Sequence, residues 1–233
     1  LLMSSNSSVE GLGEVMFFSD YANQRRTRSK LTPFGNECTC GAPSLQECDY
    51  WRSVEKQLRE FADGLTLRDV ELRQSRQEQF RAHNLALLKA VSKVSRKSML
   101  VDSSKDAWRL QSLKDIQEIN VKPILLWRSP IEVVASQHKK GANRIVTALG
   151  ILRQALRFEK VLRGTNYAVV EYRDLARTPD SVLRGLMGYV GLDFEESQLA
   201  FAGRERHIIG GNRMRRSETS KIRYDDSYRR AMN

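Results

Sequence analysis

The sequence has few cysteines, few histidines and no long apolar run. It contains three cysteines and three histidines among 233 residues, and its apolar runs are only a handful of residues long. A disulfide framework needs an even set of cysteines, and a membrane-spanning helix needs roughly 20 consecutive apolar residues. The sequence therefore predicts neither a disulfide framework nor a membrane-spanning helix. The histidines show no HxxxH or triad spacing, which leaves His83 and His138 as ordinary residues on helix surfaces.

The composition that remains is that of a globular protein with an excess of positive charge. Hydrophobic residues make up 40% of the chain and charged residues 29%, while 39 Lys and Arg against 28 Asp and Glu give a net charge of +11. Such a surplus favours anionic partners, whether nucleic acid, phosphate or sulfate esters, or an acidic polymer. The three cysteines imply no disulfide framework, so we expect a protein of the reducing cytoplasm.

Short apolar segments alternate with amphipathic ones, which predicts an α/β fold with a parallel sheet. Residues 98–102, 123–127 and 167–171 are near-continuous apolar runs, as is typical of strands buried on both faces. Residues 50–97 read as mostly helical, with an interruption at Gly64. A further helix is predicted from Pro179 to about Gly191. Helical spacing also relates several apolar residues between the second and third strands: Ile145, Ala148, Leu149, Leu152 and Leu156.

The second strand is followed by a turn and a helix that could bind an anion. Arg128 ends the strand, Ser129 is a good N-cap, and Pro130 suits the first helical position. Ser136 lies nearly two turns into the helix, on the side of its start. A guanidinium and a hydroxyl so placed could hold one phosphate together. In the alternative interpretation, Arg128 pairs with a carboxylate and Ser136 is a small packing residue.

Two further charged residues are candidates for catalysis. Lys105 follows the first strand and could neutralise charge on a transferred group, although a solvated surface lysine is the simpler alternative. Glu14 follows Gly11 and Gly13 and precedes apolar residues, so it is a candidate general base. Its alternatives are a solvated loop glutamate or a helix-start glutamate stabilised by the helix dipole.

The C-terminal region concentrates basic charge around a pair of glycines. Between Arg204 and Arg230 there are nine Lys or Arg and four Asp or Glu, a net of +5. Gly210 and Gly211 allow backbone N–H groups to approach an anion closely. A basic tail that binds RNA is the competing interpretation, but the tail has few aromatic residues to stack on bases.

The cysteines have a spacing that only weakly suggests a metal site. Cys38, Cys40 and Cys48 supply three thiols, and no fourth ligand is evident beside them. The sequence therefore gives no reason to assign a metal.

Taken together, these segments resemble the sulfotransferases that use 3′-phosphoadenosine-5′-phosphosulfate (PAPS), of the bacterial type related to tyrosylprotein and carbohydrate sulfotransferases. The run from Arg128 through Pro130 to Ser136 resembles the family's R-[DSN]-P-x5-S pattern, whose Arg and Ser bind the 3′-phosphate. Lys105 matches the lysine of the S-K segment, and Glu14 takes the place of the catalytic glutamate. The other matches are to the Y-x-D-L element, the G-N-x-M-R closing loop and the trailing D-x-x-W/Y: Tyr172, Gly210, Gly211, Asn212, Arg213, Arg215, Asp225 and Tyr228.

The resemblance implies a P-loop-type parallel sheet flanked by helices, with a largely helical acceptor-side insertion over 15–97 and a nucleotide-binding core and closing tail over 98–233, in one domain. It implies in-line transfer of a sulfuryl group to a hydroxyl, with a carbohydrate as the first acceptor to consider and no metal required. The family's strand and phosphate loop are expected to precede Leu1. Two alternatives stay open: a kinase-like phosphotransferase of the same fold, and a basic nucleic-acid-binding module.

Overall fold

The structure, a computed structural model, describes residues 1–23, 37–73, 77–210, 213–216, 218–224 and 226. Its four strands are β1 (Val9–Gly13), β2 (Met99–Asp102), β3 (Ile124–Trp127) and β4 (Ala168–Glu171). Its helices are α1 (Phe18–Ala22), α2 (Asp49–Phe61), α3 (Gln77–Ser95), α4 (Ala107–Lys114), α5 (Pro130–His138), α6 (Arg144–Leu162), α7 (Tyr172–Arg177) and α8 (Pro179–Val190). Short 3-10 turns cover Met3–Ser5, Val15–Phe17, Glu196–Gln198 and Arg213–Arg216.

The described residues form two compact units. The first is built from 1–119 and 195–220, and the second from 120–194 and the described residues beyond 220. Each unit contains one parallel pair of strands, β1 with β2 and β3 with β4. The chain is thus a mixed α/β protein with small parallel sheets and many helices. The predicted division into an insertion over 15–97 and a core over 98–233 stays a prediction.

The first unit is built around the helices that connect its two strands. Parallel strands need a long crossover, and here the connection from β1 to β2 includes α1, α2 and α3. Trp51, Val54 and Leu58 recur at helical spacing on α2 and are fully buried. Trp51 packs edge-to-face on Phe18 of α1, with ring centroids 4.7 Å apart. Burial of this aromatic pair stabilises the packing of α1 against α2 within the crossover.

The second unit repeats the parallel arrangement on a smaller scale. Ile124 of β3 pairs with Ala168 of β4, and the register continues to Trp127 and Glu171. Helices α5 and α6 make the crossover between them. The core includes the buried face of α8, which ends at Gly191 in the left-handed conformation, as predicted.

All three predicted strands are found within the expected segments, but one strand was missed. Val9–Gly13 forms β1, where the sequence analysis predicted no strand, and Glu14 directly precedes the 3-10 turn Val15–Phe17, in agreement with the helix-start alternative. Glycine is unfavourable in strands, so Gly11 and Gly13 weakened the sequence signal for β1. Gly11 is required by close approach, because a Cβ there would lie 2.7 Å from the Cβ of Ser4.

The apolar residues related by helical spacing all lie on α6, as predicted, whereas a predicted helix cap is not formed. The apolar stripe of α6 is exposed: its large members, Ile145, Leu149, Leu152 and Leu156, are between 48% and 72% accessible. Two strands about 5 Å apart cannot cover a helix of 19 residues, which is about 28 Å long. The predicted cap at Ser129 is not formed, since its side chain does not bond to the N-terminus of α5.

A helix suited to crossing a bilayer is not found in the described part of the chain, since none there combines the required length with sufficient apolar character.

Candidate active site

Glu14 and Lys105 form an ion pair in the first unit. The two residues are 91 positions apart in sequence, yet Lys105 Nζ lies 2.7 Å from Glu14 Oε1. Each follows the carboxyl end of a strand, and parallel neighbours end at the same edge of a sheet. The Ser103 amide and hydroxyl both donate to the Gly13 carbonyl, at 2.9 and 3.3 Å, which ties the two strand ends together. The sheet register therefore produces this contact.

The two side chains differ in their exposure. The Glu14 side chain is 17% accessible and that of Lys105 is 64% accessible. The Tyr21 hydroxyl also donates to Glu14 Oε2, at 3.4 Å. Lys105 has a φ of +57°, in the left-handed region that non-glycine residues rarely adopt. The site thus combines a sheltered carboxylate with a cation that approaches it from a strained, exposed turn.

A network that the sequence analysis missed supports this turn. Asp102 accepts hydrogen bonds from the Ser104 amide at 2.9 Å and from Arg109 Nε at 2.7 Å. Arg109 is buried and also donates to the Leu72 carbonyl. Ser104 Oγ accepts from the Met16 amide at 3.1 Å, which links the turn to the residues after Glu14. An Asp followed by two Ser is a recognisable turn signal, but nothing in the sequence marks Arg109.

The C-terminal segment lies against the same strand end. Ile209 forms a parallel bridge to Gly13 and an antiparallel one to Cys38. Gly210 has a φ of +72°, and a Cβ there would lie 2.0 Å from the Tyr21 hydroxyl. The segment therefore approaches the tyrosine that bonds to Glu14 so closely that only glycine fits.

The structure describes some of the remaining predicted tail residues and not others. Arg215 is buried, and its Nη1 donates to the carbonyls of Glu37 and Ile208, at 2.9 and 2.8 Å. For Arg213 the backbone alone is described. The other positions in the tail resemblance lie outside the described residues: Gly211, Asn212, Asp225 and Tyr228.

The second unit places Arg128 where the strand–turn–helix pattern predicted. Its Nε donates to Glu132 Oε2 at 2.9 Å, one turn into α5. Its guanidinium carbon lies 4.6 Å from the centre of the Tyr172 ring, within range of a cation–π contact. Tyr172 in turn packs against Tyr224, with ring centroids 5.9 Å apart. Arg128 and Tyr172, two predicted nucleotide-binding residues, are therefore in contact.

Glu132, which the sequence analysis did not single out, anchors this cluster. It is buried, and it accepts hydrogen bonds from the Tyr224 hydroxyl and from Arg128. Burial alone raises the pKa of a carboxyl group, but these hydrogen bonds and the charge of Arg128 outweigh it, and the pKa of Glu132 lies below its ordinary value. Glu132 therefore holds Arg128 as an ionised partner.

The pairing with Glu132 corresponds to the alternative interpretation of Arg128. Ser136 lies farther along α5 and is half-buried. A guanidinium has several N–H donors in a planar fork, so a bond from Nε to a carboxylate is compatible with a second anion. Binding of a 3′-phosphate by these two residues stays a prediction.

The fold has counterparts among solved structures. The sulfotransferase domain from the curacin biosynthetic pathway aligns with 99% of this chain and 89% of its own, at a TM-score of 0.53 and 15% sequence identity. The chain has a sulfotransferase fold. The sulfotransferase domain from the Synechococcus PCC 7002 olefin synthase aligns with 95% of this chain and 81% of its own, at a TM-score of 0.44 and 18% identity. No protein-family model matches the chain, and no curated protein matches it in sequence.

The sulfotransferase fold agrees with the resemblance drawn from the sequence motifs. At 15% identity the likeness concerns the path of the backbone, so it assigns no role to a side chain. The roles of individual residues therefore depend on the contacts described above.

Proposed function

We propose that this chain is a sulfotransferase that moves a sulfuryl group from PAPS to a hydroxyl of an acceptor, with carbohydrates as the first acceptor class to test. The observation that carries the proposal is the 2.7 Å contact between Glu14 and Lys105 at the edge where two parallel strands end. Ligands of open α/β sheets bind beyond this edge. Transfer of an anionic group to a hydroxyl needs a base for the proton and a cation for the charge, and this pair supplies both.

Glu14 acts as the general base in this proposal. Its carboxylate accepts the proton of the acceptor hydroxyl as the acceptor oxygen forms its bond to sulfur. The Tyr21 hydroxyl, 3.4 Å from Oε2, orients the carboxylate and leaves Oε1 to face Lys105. Because the Glu14 side chain is only 17% accessible, bulk water competes weakly for it.

Lys105 stabilises the charge that develops during transfer. As the bond between sulfur and the bridging oxygen breaks, negative charge grows on that oxygen, and an ammonium donates hydrogen bonds to it. The left-handed turn at Lys105 and the network around Asp102 hold the lysine at the strand end, so little rearrangement accompanies the reaction. No metal is needed for either step.

The donor supplies the sulfuryl group, and the residues present suit its anionic nucleotide. Arg128 and Ser136 are proposed to bind the 3′-phosphate, at the start of a helix whose N-terminus favours anions. Tyr172, already stacked on the Arg128 guanidinium, is proposed to lie at the nucleotide. The basic tail adds further positive charge, with Gly210, Gly211, Asn212, Arg213 and Arg215 as its proposed contacts. We also propose that this chain has the P-loop-type parallel sheet of the family.

The direct test follows label from the donor. The full chain is incubated with PAPS labelled in its sulfuryl group and, in separate reactions, with oligosaccharides, tyrosine peptides and small alcohols or phenols. We expect label in a hydroxyl acceptor, and we expect Glu14→Gln to abolish most of it while Glu10→Gln does not. Parallel reactions with ATP labelled in its γ-phosphate test the kinase-like alternative, and transfer from ATP alone would contradict the proposal.

A binding measurement tests the donor without knowledge of the acceptor. Titration calorimetry compares 3′-phosphoadenosine-5′-phosphate with AMP and ATP, which lack the 3′-phosphate. We expect the 3′-phosphorylated nucleotide to bind far more tightly. Equal affinities for all three nucleotides would contradict PAPS as the donor.

A further inference from the structure

Three thiols and one imidazole from separate segments meet in the first unit. The ligand atoms of Cys38, Cys40, Cys48 and His207 all lie within 4.8 Å of one another. Cys40 Sγ is 3.6 Å from Cys48 Sγ, which is 3.3 Å from His207 Nδ1. We infer that these four residues form a structural zinc site, for which His207 supplies the fourth ligand that the cysteine spacing lacks.

The distances suit a tetrahedral zinc ion. With Zn–S bonds of about 2.3 Å and Zn–N bonds of about 2.0–2.1 Å, neighbouring ligand atoms in a tetrahedron stand about 3.5–3.8 Å apart. The Cys40–Cys48 and Cys48–His207 separations lie within a few tenths of an ångström of this range, and the other ligand pairs lie within 4.8 Å. Because the three thiols and the imidazole fill all four positions, the site is closed, which is typical of structural and not of catalytic zinc.

The backbone holds the first two cysteines in place. The Cys38 amide donates to the Ala42 carbonyl at 2.8 Å, and the Gly41 amide donates to the Cys38 carbonyl at 3.1 Å, forming a tight loop. Gly41 has a φ of +99°, which a residue with a side chain would rarely adopt. This loop turns Cys38 and Cys40 toward Cys48, which lies at the start of α2.

Both ring nitrogens of His207 have neighbours that fix the orientation of the imidazole. Its Nδ1 faces Cys48, and its Nε2 lies 3.5 Å from a Glu205 carboxylate oxygen. The ring stacks on Tyr50 at 4.5 Å with planes 3° apart, and the Trp51 indole donates to the His207 carbonyl at 2.7 Å. A carboxylate behind the metal-binding histidine is a common way to fix the ring and its tautomer.

The surrounding charges also suit such a centre. Three thiolates and one Zn²⁺ carry a net charge of −1, which needs compensation in a partly buried place. Arg216 donates to the Cys38 carbonyl at 2.7 Å, and Arg215 donates to the Ile208 carbonyl at 2.8 Å. Two guanidinium groups thus lie on the peptide groups of the ligand segments.

The metal would add a link between two segments that already meet in the core of the first unit, where Ile209 pairs with Cys38. It links the 38–48 segment to His207, two residues before Ile209, which pairs with Gly13 beside Glu14. The Thr39 hydroxyl accepts from the Ile208 amide at 2.9 Å and reinforces the same junction. The zinc site therefore supports the strand end that holds Glu14, although it does not depend on the proposed sulfuryl transfer.

Metal analysis of the purified full chain tests this inference directly. We expect about one zinc ion per chain after purification under reducing conditions without added chelator. His207→Ala and Cys40→Ser should each lose most of it, whereas His138→Ala, which changes an exposed histidine of the second unit, should retain it. Less than a tenth of an equivalent of zinc in the wild type, or unchanged zinc in His207→Ala, would overturn the site.

Cobalt substitution provides a readout that does not depend on whether a variant folds. Wild-type protein stripped with chelator and titrated with Co²⁺ should develop the visible absorption of a tetrahedral cobalt–thiolate centre, saturating at about one equivalent. Stripping should also lower the melting temperature, and zinc should restore it. A Cys40–Cys48 disulfide found by mass spectrometry in freshly reduced and re-purified protein, with no cobalt spectrum, would instead identify a redox pair and contradict the proposal.

Discussion

Two glutamate–lysine pairs, one at each end of β1, show how the surroundings separate a structural contact from a candidate reactive one. Lys97 Nζ lies 3.0 Å from Glu10 Oε2 and also donates to the Val9 carbonyl, so this pair ties the chain just before β2 to the amino end of β1. Lys105 instead reaches Glu14 from an exposed left-handed turn at the carboxyl end of the strand. The first pair is therefore a matched control for the second.

Replacement of Glu14 by Gln should remove the proposed general base and retain the shape of the side chain. We expect turnover to fall by about 10²–10⁴-fold, the usual scale for a positioned general base, with nucleotide affinity nearly unchanged. Glu10→Gln should leave turnover within about twofold, because Glu10 takes no part in proton transfer. If Glu14→Gln retains wild-type turnover with the true acceptor, another residue is the base.

Removal of the Arg128 guanidinium should weaken binding of the nucleotide. Arg128→Ala is expected to cost roughly 1.5–3 kcal/mol in affinity for 3′-phosphoadenosine-5′-phosphate, the range for a hydrogen bond to a charged group. Arg163→Ala, which removes the exposed partner of Glu159 in the same unit, is the control and should change little. Calorimetry on the three proteins separates the outcomes, and equal affinities would exclude Arg128 from the phosphate site.

At the scale of the secondary-structure element, the end of β1 depends on the absence of a side chain. Gly13 has a φ of +77°, and a Cβ there would lie 2.8 Å from the Ile209 carbonyl oxygen. Both the conformation and the approach of the C-terminal segment therefore require glycine. The same position precedes Glu14, so strain in the strand end would reach the candidate site.

Gly13→Ala should accordingly destabilise the protein and lower activity together. The left-handed conformation alone costs on the order of 1 kcal/mol for alanine, and the close contact adds to it. Gly185→Ala is the matched control, because Gly185 lies within α8 with nothing within 4 Å of its Cβ position, and alanine there should stabilise by about 0.5–1 kcal/mol. Denaturant unfolding of both variants checks the opposite signs, and stabilisation by Gly13→Ala would contradict the described strand end.

The junction of β3 and α5 should depend on pH through Glu132. Its pKa is lower in the folded protein than its ordinary value of 4.5, so its ionised form stabilises the fold above that pH. This stabilisation is lost as the pH falls through the folded pKa. We expect the wild type to exceed Glu132→Gln in free energy of unfolding at pH 7, and the difference to shrink below about pH 4.5.

The exposed pair of Arg163 and Glu159 supplies the comparison for this pH dependence. Glu159→Gln should differ little from the wild type across the same range, because exposed ion pairs contribute little. Urea unfolding followed by circular dichroism at several pH values provides the measurement. A difference for Glu132→Gln that grows on acidification would reverse the sign and refute this role.

For the molecule as a whole, the net charge of +11 favours the anionic ligand that we propose. A ligand that binds only the folded state stabilises it by about 2.7 kcal/mol at a hundred times its dissociation constant. 3′-Phosphoadenosine-5′-phosphate should therefore raise the melting temperature of the full chain, and AMP at the same concentration should raise it much less. The Arg128→Ala variant should lose most of this shift, and a shift equal for both nucleotides would argue for non-specific charge neutralisation.

Most of the local elements, and the residue types of the candidate site, are predictable from the sequence alone. Continuous apolar runs before Ser103, Arg128 and Tyr172 predicted three of the strands, because buried parallel strands exclude polar residues. The motif spacing also led to the sulfotransferase resemblance, with which the fold agrees. Local patterns carry this information because hydrophobic periodicity and capping act over a few neighbouring residues.

The contacts between residues distant in sequence are evident from the tertiary structure alone. Register between β1 and β2 brought Glu14 to Lys105, and the return of the C-terminal segment brought His207 to the three cysteines. The buried partners Arg109 and Glu132 were equally invisible, because a charged side chain in sequence reads as a surface residue until a partner is known. Such contacts join residues up to 169 positions apart, as between Cys38 and His207, and no short-range pattern encodes a pairing of that kind.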